Sequence, residues 1–184
     1  MRNYLVVYYS NTGNSKFKAQ KLANDLACDS KEISPIFNNV GFLFLLSLLK
    51  INISTNIATT DISQYDEIII IGPIWGGLII SPLRNVLNTC VKASKTIHFA
   101  ITCESKEEDK NSKYGYAQVL KKSNDLGGRL VKNTAAFSTA LVNSGNKPNI
   151  PKLTEKIKIT EANYSEALKL RVADFVKKIK ATMP

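Results

Sequence analysis

The chain has 184 residues, of which 44% are hydrophobic, and this size and composition suit a single domain, 1–184, with a sizeable core. Its formal net charge is +10, but the lysines are scattered from Lys16 to Lys180, which argues against a nucleic-acid partner. The three cysteines share no ligand spacing, which argues against a disulfide framework or a zinc site. We therefore expect neither nucleic acid nor metal.

The most apolar stretch, within residues 40–51, is shorter than the roughly 20 residues that a membrane-spanning helix needs. No charged leader with an apolar stretch and a cleavage site precedes the first predicted strand. We therefore expect a cytoplasmic protein without a transmembrane segment. The favoured interpretation of residues 40–51 is a crossover helix buried on a sheet. The alternative is a hydrophobic docking face for a membrane, a quinone or a partner protein.

Predicted strands and helices alternate along the chain. A buried strand at 4–9 precedes a helix in "SKFKAQKLANDLA", and a short strand follows near "KEIS". The β-branched run in "YDEIIIIGPIW" is typical of a central parallel strand, and "SPLRNVLNTCVKA" predicts a helix with Ser81 as its N-cap. The remaining elements are a strand, a helix, a strand and a helix, in "KTIHFAITC", "YGYAQVLKKSNDLGG", "RLVKNTAAFSTAL" and "NYSEALKLRVADFVKKIK". This order predicts an open parallel sheet, which binds ligands beyond the carboxyl ends of its strands.

The turn after the first strand is made of small polar residues: Ser10, Asn11, Thr12, Gly13, Asn14 and Ser15. Free backbone N–H groups at the start of the next helix, together with these hydroxyls, suit a phosphate monoester. The turn lacks the lysine of a nucleotide-binding P-loop and the three spaced glycines of a dinucleotide turn. An ordinary capped connection is the alternative, because Ser, Thr and Asn favour helix starts in any case.

A second stretch, "GPIWGGLIISP", follows the central strand and ends at the same edge of the predicted sheet. It contains the only tryptophan of the chain, Trp75, beside Gly76 and Gly77. A tryptophan in this position is expected to cover a flat ligand, and a core tryptophan under a loop is the alternative.

Together the two stretches resemble the flavodoxin-like family of FMN proteins, over nearly the whole chain. The resemblance implies an α/β three-layer sandwich with helices on both faces of a five-stranded parallel sheet of order 2-1-3-4-5. In that family the first turn holds the FMN phosphate, and the loop after the third strand carries a stacking aromatic and a glycine whose peptide meets flavin N5. The resemblance therefore implies three groups of FMN-binding residues: Ser10, Asn11, Thr12, Gly13, Asn14 and Ser15 at the phosphate; Pro73, Ile74, Trp75, Gly76 and Gly77 at the ring; and Thr102, Cys103 and Glu104 at its pyrimidine end.

Three functions remain open at this point. An FMN electron carrier serving a redox partner protein or a small-molecule acceptor needs no catalytic side chain. An NAD(P)H-dependent FMN oxidoreductase acting on a quinone or similar acceptor is the second hypothesis, and a flavin-free binding protein on the same fold is the third. Electron carriers of this family are usually acidic, whereas this chain is basic, and this difference mildly favours the oxidoreductase.

Four other features receive structural interpretations. His98 is expected to be packed within its strand rather than to act as a base. Tyr114 and Tyr116 lie within reach of the flavin edge, but helix packing is their favoured role. The acidic triplet at 107–109 is interpreted as a solvated loop. Residues 143–156 are interpreted as a polar connection before the last helix.

Overall fold

In the computed structural model, which describes residues 2–142 and 157–182, strands and helices alternate along the chain. The strands are β1 (Tyr4–Tyr8), β2 (Asp29–Glu32), β3 (Glu67–Trp75), β4 (Leu78–Ile79), β5 (Thr96–Cys103) and β6 (Val131–Ser138). The helices are α1 (Asn14–Leu26), α2 (Val40–Leu48), α3 (Thr59–Ile62), α4 (Ser81–Lys92), α5 (Tyr116–Gly127) and α6 (Glu166–Ala181). The predicted connection at 143–156 lies outside the described residues.

The sheet has the strand order β2-β1-β3-β5-β6, and each neighbouring pair in this order is parallel. The predicted flavodoxin-like order is therefore confirmed, with β5 and β6 as the predicted fourth and fifth strands. β4 is an addition that the sequence did not indicate, a two-residue strand that pairs antiparallel with the end of β3. Residues Ile68 to Ile71 of the central strand are fully buried, because helices cover both faces of the sheet.

Two hydrophobic clusters join the sheet to its helices. On one face, apolar residues of α1 and α6 pack with Val6, Ile69 and Phe137, and on the other, residues of α4 and α5 pack with Ile68 and Ile70. The predicted apolar face of the last helix is buried as expected, and it consists of Leu168, Val172, Phe175, Val176 and Ile179. The three-layer arrangement places the β1–α1, β3–β4 and β5–α5 connections along one edge of the sheet.

The interpretation of residues 40–51 as a buried crossover helix is wrong. In α2 only Leu43 and Ser47 are buried, whereas the remaining apolar side chains are exposed or half-buried, with Leu48 57% exposed. The apolar composition suggested burial, but this short helix lies at the periphery. It packs on the rest of the protein only through the side that contains Leu43 and Ser47. Within the described parts of the chain, no helix is both long and apolar enough to cross a membrane.

Ser81 is the first residue of α4 and not its N-cap, a position that Ile80 occupies. Its backbone N–H donates to Ser47 Oγ at 2.8 Å, and its hydroxyl donates to the Ile51 carbonyl oxygen at 2.7 Å. Ser81 therefore attaches α2 and the residues after it to α4, which explains why α2 keeps its position with so little buried surface.

His98 is fully buried, so its interpretation as a packed strand residue is confirmed. Its Nε2 lies 2.6 Å from Glu67 Oε2, and its Nδ1 lies 3.1 Å from Asn133 Nδ2. Since His98 is near the beginning of β5, this polar cluster lies at the amino end of the strand, away from the connections that follow the strands.

Lys18 is a fully buried lysine in α1. Its Nζ lies 3.9 Å from the centre of the Tyr164 ring, and within the described residues it has no hydrogen-bond partner. Burial lowers the pKa of Lys18 to about 7, and the nearby charge of Lys21 contributes to the same direction. An ammonium group in this position destabilises the folded state, because it loses its hydration without gaining a carboxylate.

We therefore expect Lys18→Met to raise the free energy of unfolding by about 1–4 kcal/mol near pH 6, since methionine fills a similar space without charge. The pKa of Lys18 is about 7 in the folded state, below the ordinary lysine value of 10.5. Wild-type stability therefore increases as the pH rises above about 7 toward 10.5, and the advantage of the variant shrinks over the same range. Urea unfolding at several pH values measures both effects. Lys16→Met, at an exposed position of the same helix, should change stability by less than about 0.5 kcal/mol. A Lys18→Met protein less stable than wild type would contradict the expectation.

Candidate functional site

A cleft of about 360 Å³ lies at the carboxyl ends of β1, β3 and β5. Its walls come from the connections that follow these strands, where an open parallel sheet usually binds its ligand. The lining residues are Asn11, Thr12 and Asn14 from the first connection, Pro73, Ile74, Trp75, Gly76 and Gly77 from the second, Thr102, Cys103, Glu104, Ser105 and Tyr114 from the third, and Thr139 after β6.

The polar turn between β1 and α1 leads into a helix whose first residue is Asn14. Gly13, the N-cap, has φ 93°, a left-handed conformation that glycine adopts without strain. Its N–H donates to Ser10 Oγ at 3.1 Å, and its carbonyl accepts from the Phe17 N–H at 2.9 Å. The first N–H groups of α1 and the positive end of the helix dipole therefore face the cleft.

Ser15 and Thr102 join the first and third connections beneath the cleft. Their hydroxyl oxygens are 2.8 Å apart, and both residues are buried. A buried hydroxyl pair of this kind satisfies both groups and holds the start of α1 against the end of β5. Ser15 therefore supports the turn from below, and Ser10, Gly13 and Ser15 are the predicted site residues that do not line the cleft.

Gly76 and Gly77 form the tip of a tight hairpin between β3 and β4. Trp75 pairs with Leu78 across the hairpin, and the two glycines have φ values of 56° and 70°. Positive φ at both central residues is the requirement of a type I′ turn, which explains the Gly-Gly pair. A Cβ on Gly77 would lie 3.0 Å from the Tyr114 Cα, so the hairpin tip also packs closely against the third connection.

Trp75 lies at the base of this hairpin, where its side chain is half-buried and borders the cleft. Its indole makes a T-shaped contact with the Tyr9 ring, with ring centres 6.2 Å apart and an interplanar angle of 77°. This contact orients the indole from one side. Trp75 also lines the cleft, and its contact with a flat ligand stays a prediction.

Residues 107–109 of the connection between β5 and α5 are exposed, as predicted for a solvated loop, and Glu107 is the centre of a cluster of charges. Glu107 accepts hydrogen bonds from Arg171 at 2.5 Å, Lys110 at 2.8 Å and Tyr116 at 2.7 Å. These bonds, that from Arg171 foremost, lower the pKa of Glu107 to about 2. The third wall of the cleft is therefore tied to both α5 and α6.

The tyrosines near this connection have different roles. Tyr116 is buried and bonded to Glu107, which confirms helix packing, whereas Tyr114 is 60% exposed and lines the cleft. Ser105, Tyr114 and Thr139 were not among the predicted site residues. Ser105 is the second residue after β5, and Thr139 is the first after β6. This position after a parallel strand is the signal that sequence reasoning could have used.

Cys103 lines the cleft at the end of β5, and its side chain is buried. Burial raises the pKa of its thiol to about 11, although hydrogen bonding to Ser105 and Ser138 acts in the opposite direction. The uncharged thiol is a poor nucleophile, because the thiolate is the reactive form. The raised pKa of the Cys103 thiol therefore does not favour a nucleophilic reaction in the cleft.

Comparisons with known proteins support the fold. No family description and no curated protein matches the chain. Among solved structures, a flavoprotein from Lactobacillus acidophilus in complex with FMN is similar, with a TM-score of 0.57 and 19% identity over 74% of this chain and 93% of that one. A short-chain flavodoxin associated with a bacterial microcompartment has a TM-score of 0.56 and 13% identity, with both chains covered completely. Oxidised flavodoxin 1 from Bacillus cereus has a TM-score of 0.51 and 14% identity, over 98% of this chain and 100% of that one. The chain therefore has a flavodoxin-like fold.

Proposed function

We propose that the protein binds FMN in this cleft and carries electrons between redox partners. The observation that carries the proposal is the position of Trp75, which borders the same cleft as the polar turn at the start of α1. The two features suit the flat and the anionic ends of one ligand. A volume of about 360 Å³ is within the roughly 300–1,000 Å³ that is usual for small-molecule sites.

Each wall has a role in this proposal. The first N–H groups of α1 and the Thr12 side chain hold the phosphate. Trp75 packs on the flavin ring, and the peptide between Gly76 and Gly77 lies at its edge. Thr102 and Glu104 border its other end. When bound, FMN supplies the redox chemistry, and the protein contributes binding, orientation and electrostatic surroundings.

The resemblance to flavodoxins favours an electron carrier. The raised pKa of the Cys103 thiol agrees with this choice, because a carrier needs no nucleophilic side chain. An NAD(P)H-dependent oxidoreductase acting on a quinone or similar acceptor is the second candidate. The observation in its favour is the formal net charge of +10, which attracts an anionic nucleotide. A flavin-free binding protein is the third.

An anaerobic visible spectrum distinguishes the three candidates. The protein is mixed with FMN, freed of unbound flavin by gel filtration, and treated first with NADPH or NADH and then with dithionite. We expect the protein to retain flavin that only dithionite bleaches. The rate of bleaching by NADPH or NADH is compared with the rate for free FMN under the same conditions. Rapid bleaching by a nicotinamide nucleotide would overturn the carrier in favour of the oxidoreductase. A protein that retains no FMN would refute both flavin-dependent functions.

A further inference from the structure

We propose that Lys158 is a phosphate ligand, a cation that the segment before α6 brings to the turn at the start of α1. The inference rests on the proposed binding of FMN and adds a residue that the sequence motif does not contain. Lys158 is exposed, and it lies outside the cleft wall described above. Its contribution is to bind the phosphate end of the ligand and not the ring.

The first observation is that several side chains of the turn are already bonded within the protein. Ser10 Oγ accepts from the Gly13 N–H, and the Ser15 hydroxyl pairs with that of Thr102. The Asn14 amide is bonded to the segment before α6. The donors used within the protein are therefore the Gly13 N–H, one hydrogen of the Asn14 amide and one hydroxyl hydrogen of the Ser15–Thr102 pair. A phosphate dianion at this turn gains from an additional cation.

The second observation is that Asn14 holds the backbone on both sides of Lys158. Asn14 Nδ2 donates to the Ile157 carbonyl oxygen at 2.8 Å, and Asn14 Oδ1 accepts from the Ile159 N–H at 2.7 Å. The Lys158 carbonyl itself accepts from Asn163 Nδ2 at 2.9 Å. Because Ile159 is also buried in the core, the position of the Lys158 backbone relative to α1 is well defined.

The third observation is that the end of the Lys158 side chain lies beside the turn at Gly13. Its Cε lies 3.4 Å from the position that a Cβ on Gly13 would occupy. The ammonium group is one bond beyond Cε and is therefore close to the N-cap of α1, where the helix dipole already favours an anion. Because 3.4 Å is an ordinary van der Waals distance, glycine at position 13 is required by its left-handed φ of 93° and not by the Lys158 side chain.

These observations assign Lys158 a contribution to flavin affinity that requires the phosphate of FMN. A charge-assisted contact with FMN is absent in riboflavin, which has the same ring but no phosphate. The contribution also decreases with ionic strength, because Lys158 is exposed to solvent. If Lys158 acted on ring binding or on the fold, its removal would weaken FMN and riboflavin binding equally, and the loss would not depend on ionic strength.

The experiment compares the dissociation constants of FMN and riboflavin for wild type and Lys158→Met, measured by quenching of flavin fluorescence. We expect FMN to bind about 5- to 20-fold more weakly to the variant, with riboflavin binding unchanged within about 2-fold. The salt dependence of FMN binding should also decrease. Lys177→Met is the matched control, because it removes an equal charge from an exposed position near the end of α6. Lys158→Arg should retain most of the affinity.

The possible outcomes separate this inference from the proposed function. Wild-type protein that binds neither flavin would refute the proposed function and the inference with it. Wild-type binding of FMN that is unchanged in Lys158→Met would overturn the role of Lys158 alone. Equal losses for FMN and riboflavin, or an equal effect of Lys177→Met, would also overturn it, since neither result depends on a contact with the phosphate.

Discussion

The Trp75→Ala variant is expected to bind FMN about 10- to 100-fold more weakly than wild type, because stacking of a flat ring on an aromatic side chain contributes about 1–3 kcal/mol. The loss should be similar for riboflavin, since the indole contacts the ring and not the phosphate. Trp75→Phe should recover part of the affinity. Titration of the flavin, followed by its fluorescence, gives the dissociation constants.

A matched control for this variant is Phe37→Ala, which removes an aromatic side chain that is 63% exposed and does not line the cleft. It should leave flavin binding unchanged. Because Trp75 also packs on Tyr9, the stability of each variant is measured by urea unfolding, and affinities are compared only under conditions where the protein is folded. Unchanged FMN affinity in a folded Trp75→Ala protein would contradict the assignment of the cleft.

The second large effect concerns stability and uses two leucines of α2. Leu43→Ala is expected to lower the free energy of unfolding by about 2–5 kcal/mol, because Leu43 is fully buried and its removal leaves a cavity. Leu48→Ala, on the same helix, should cost no more than about 0.5 kcal/mol, because Leu48 is 57% exposed. Urea unfolding of both variants at low protein concentration measures the difference.

The pair tests whether the exposed side of α2 is exposed in solution. If Leu48→Ala proved as costly as Leu43→Ala, the exposed apolar side of α2 would be covered, and an increase of stability with protein concentration would identify a second copy as the cover. A small effect at Leu43 would contradict its place in the core.

Much of the fold was predictable, because its signals are local. The run Ile68 to Ile71 indicated a strand covered on both faces, and the structure buries all four residues. The exposure of residues 40–51 was not predictable in the same way. Apolar residues around a whole helix favour burial, but whether a neighbour covers them depends on the packing of other elements.

The candidate site was predictable in outline and not in its bonding. The turn at Ser10 to Ser15 and the Trp75 stretch follow parallel strands, and the topology brings both to one cleft. The sequence did not show that Ser15 pairs with Thr102 beneath that cleft. A hydroxyl at a helix start suits a ligand and a buried neighbour equally well, and only the distance between the two oxygens distinguishes them.

By itself the sequence determined the alternation of strands and helices, the polar turn and the position of Trp75 after the central strand, because each depends on residues close together in the chain. Only the tertiary structure decided that most of α2 is exposed, that Lys18 is buried without a described partner, and that the Lys158 side chain lies beside Gly13. Asn14 and Ile159 are 145 positions apart in the chain. Contacts between such distant residues arise from the packing of α1, the sheet and α6, which no local pattern specifies.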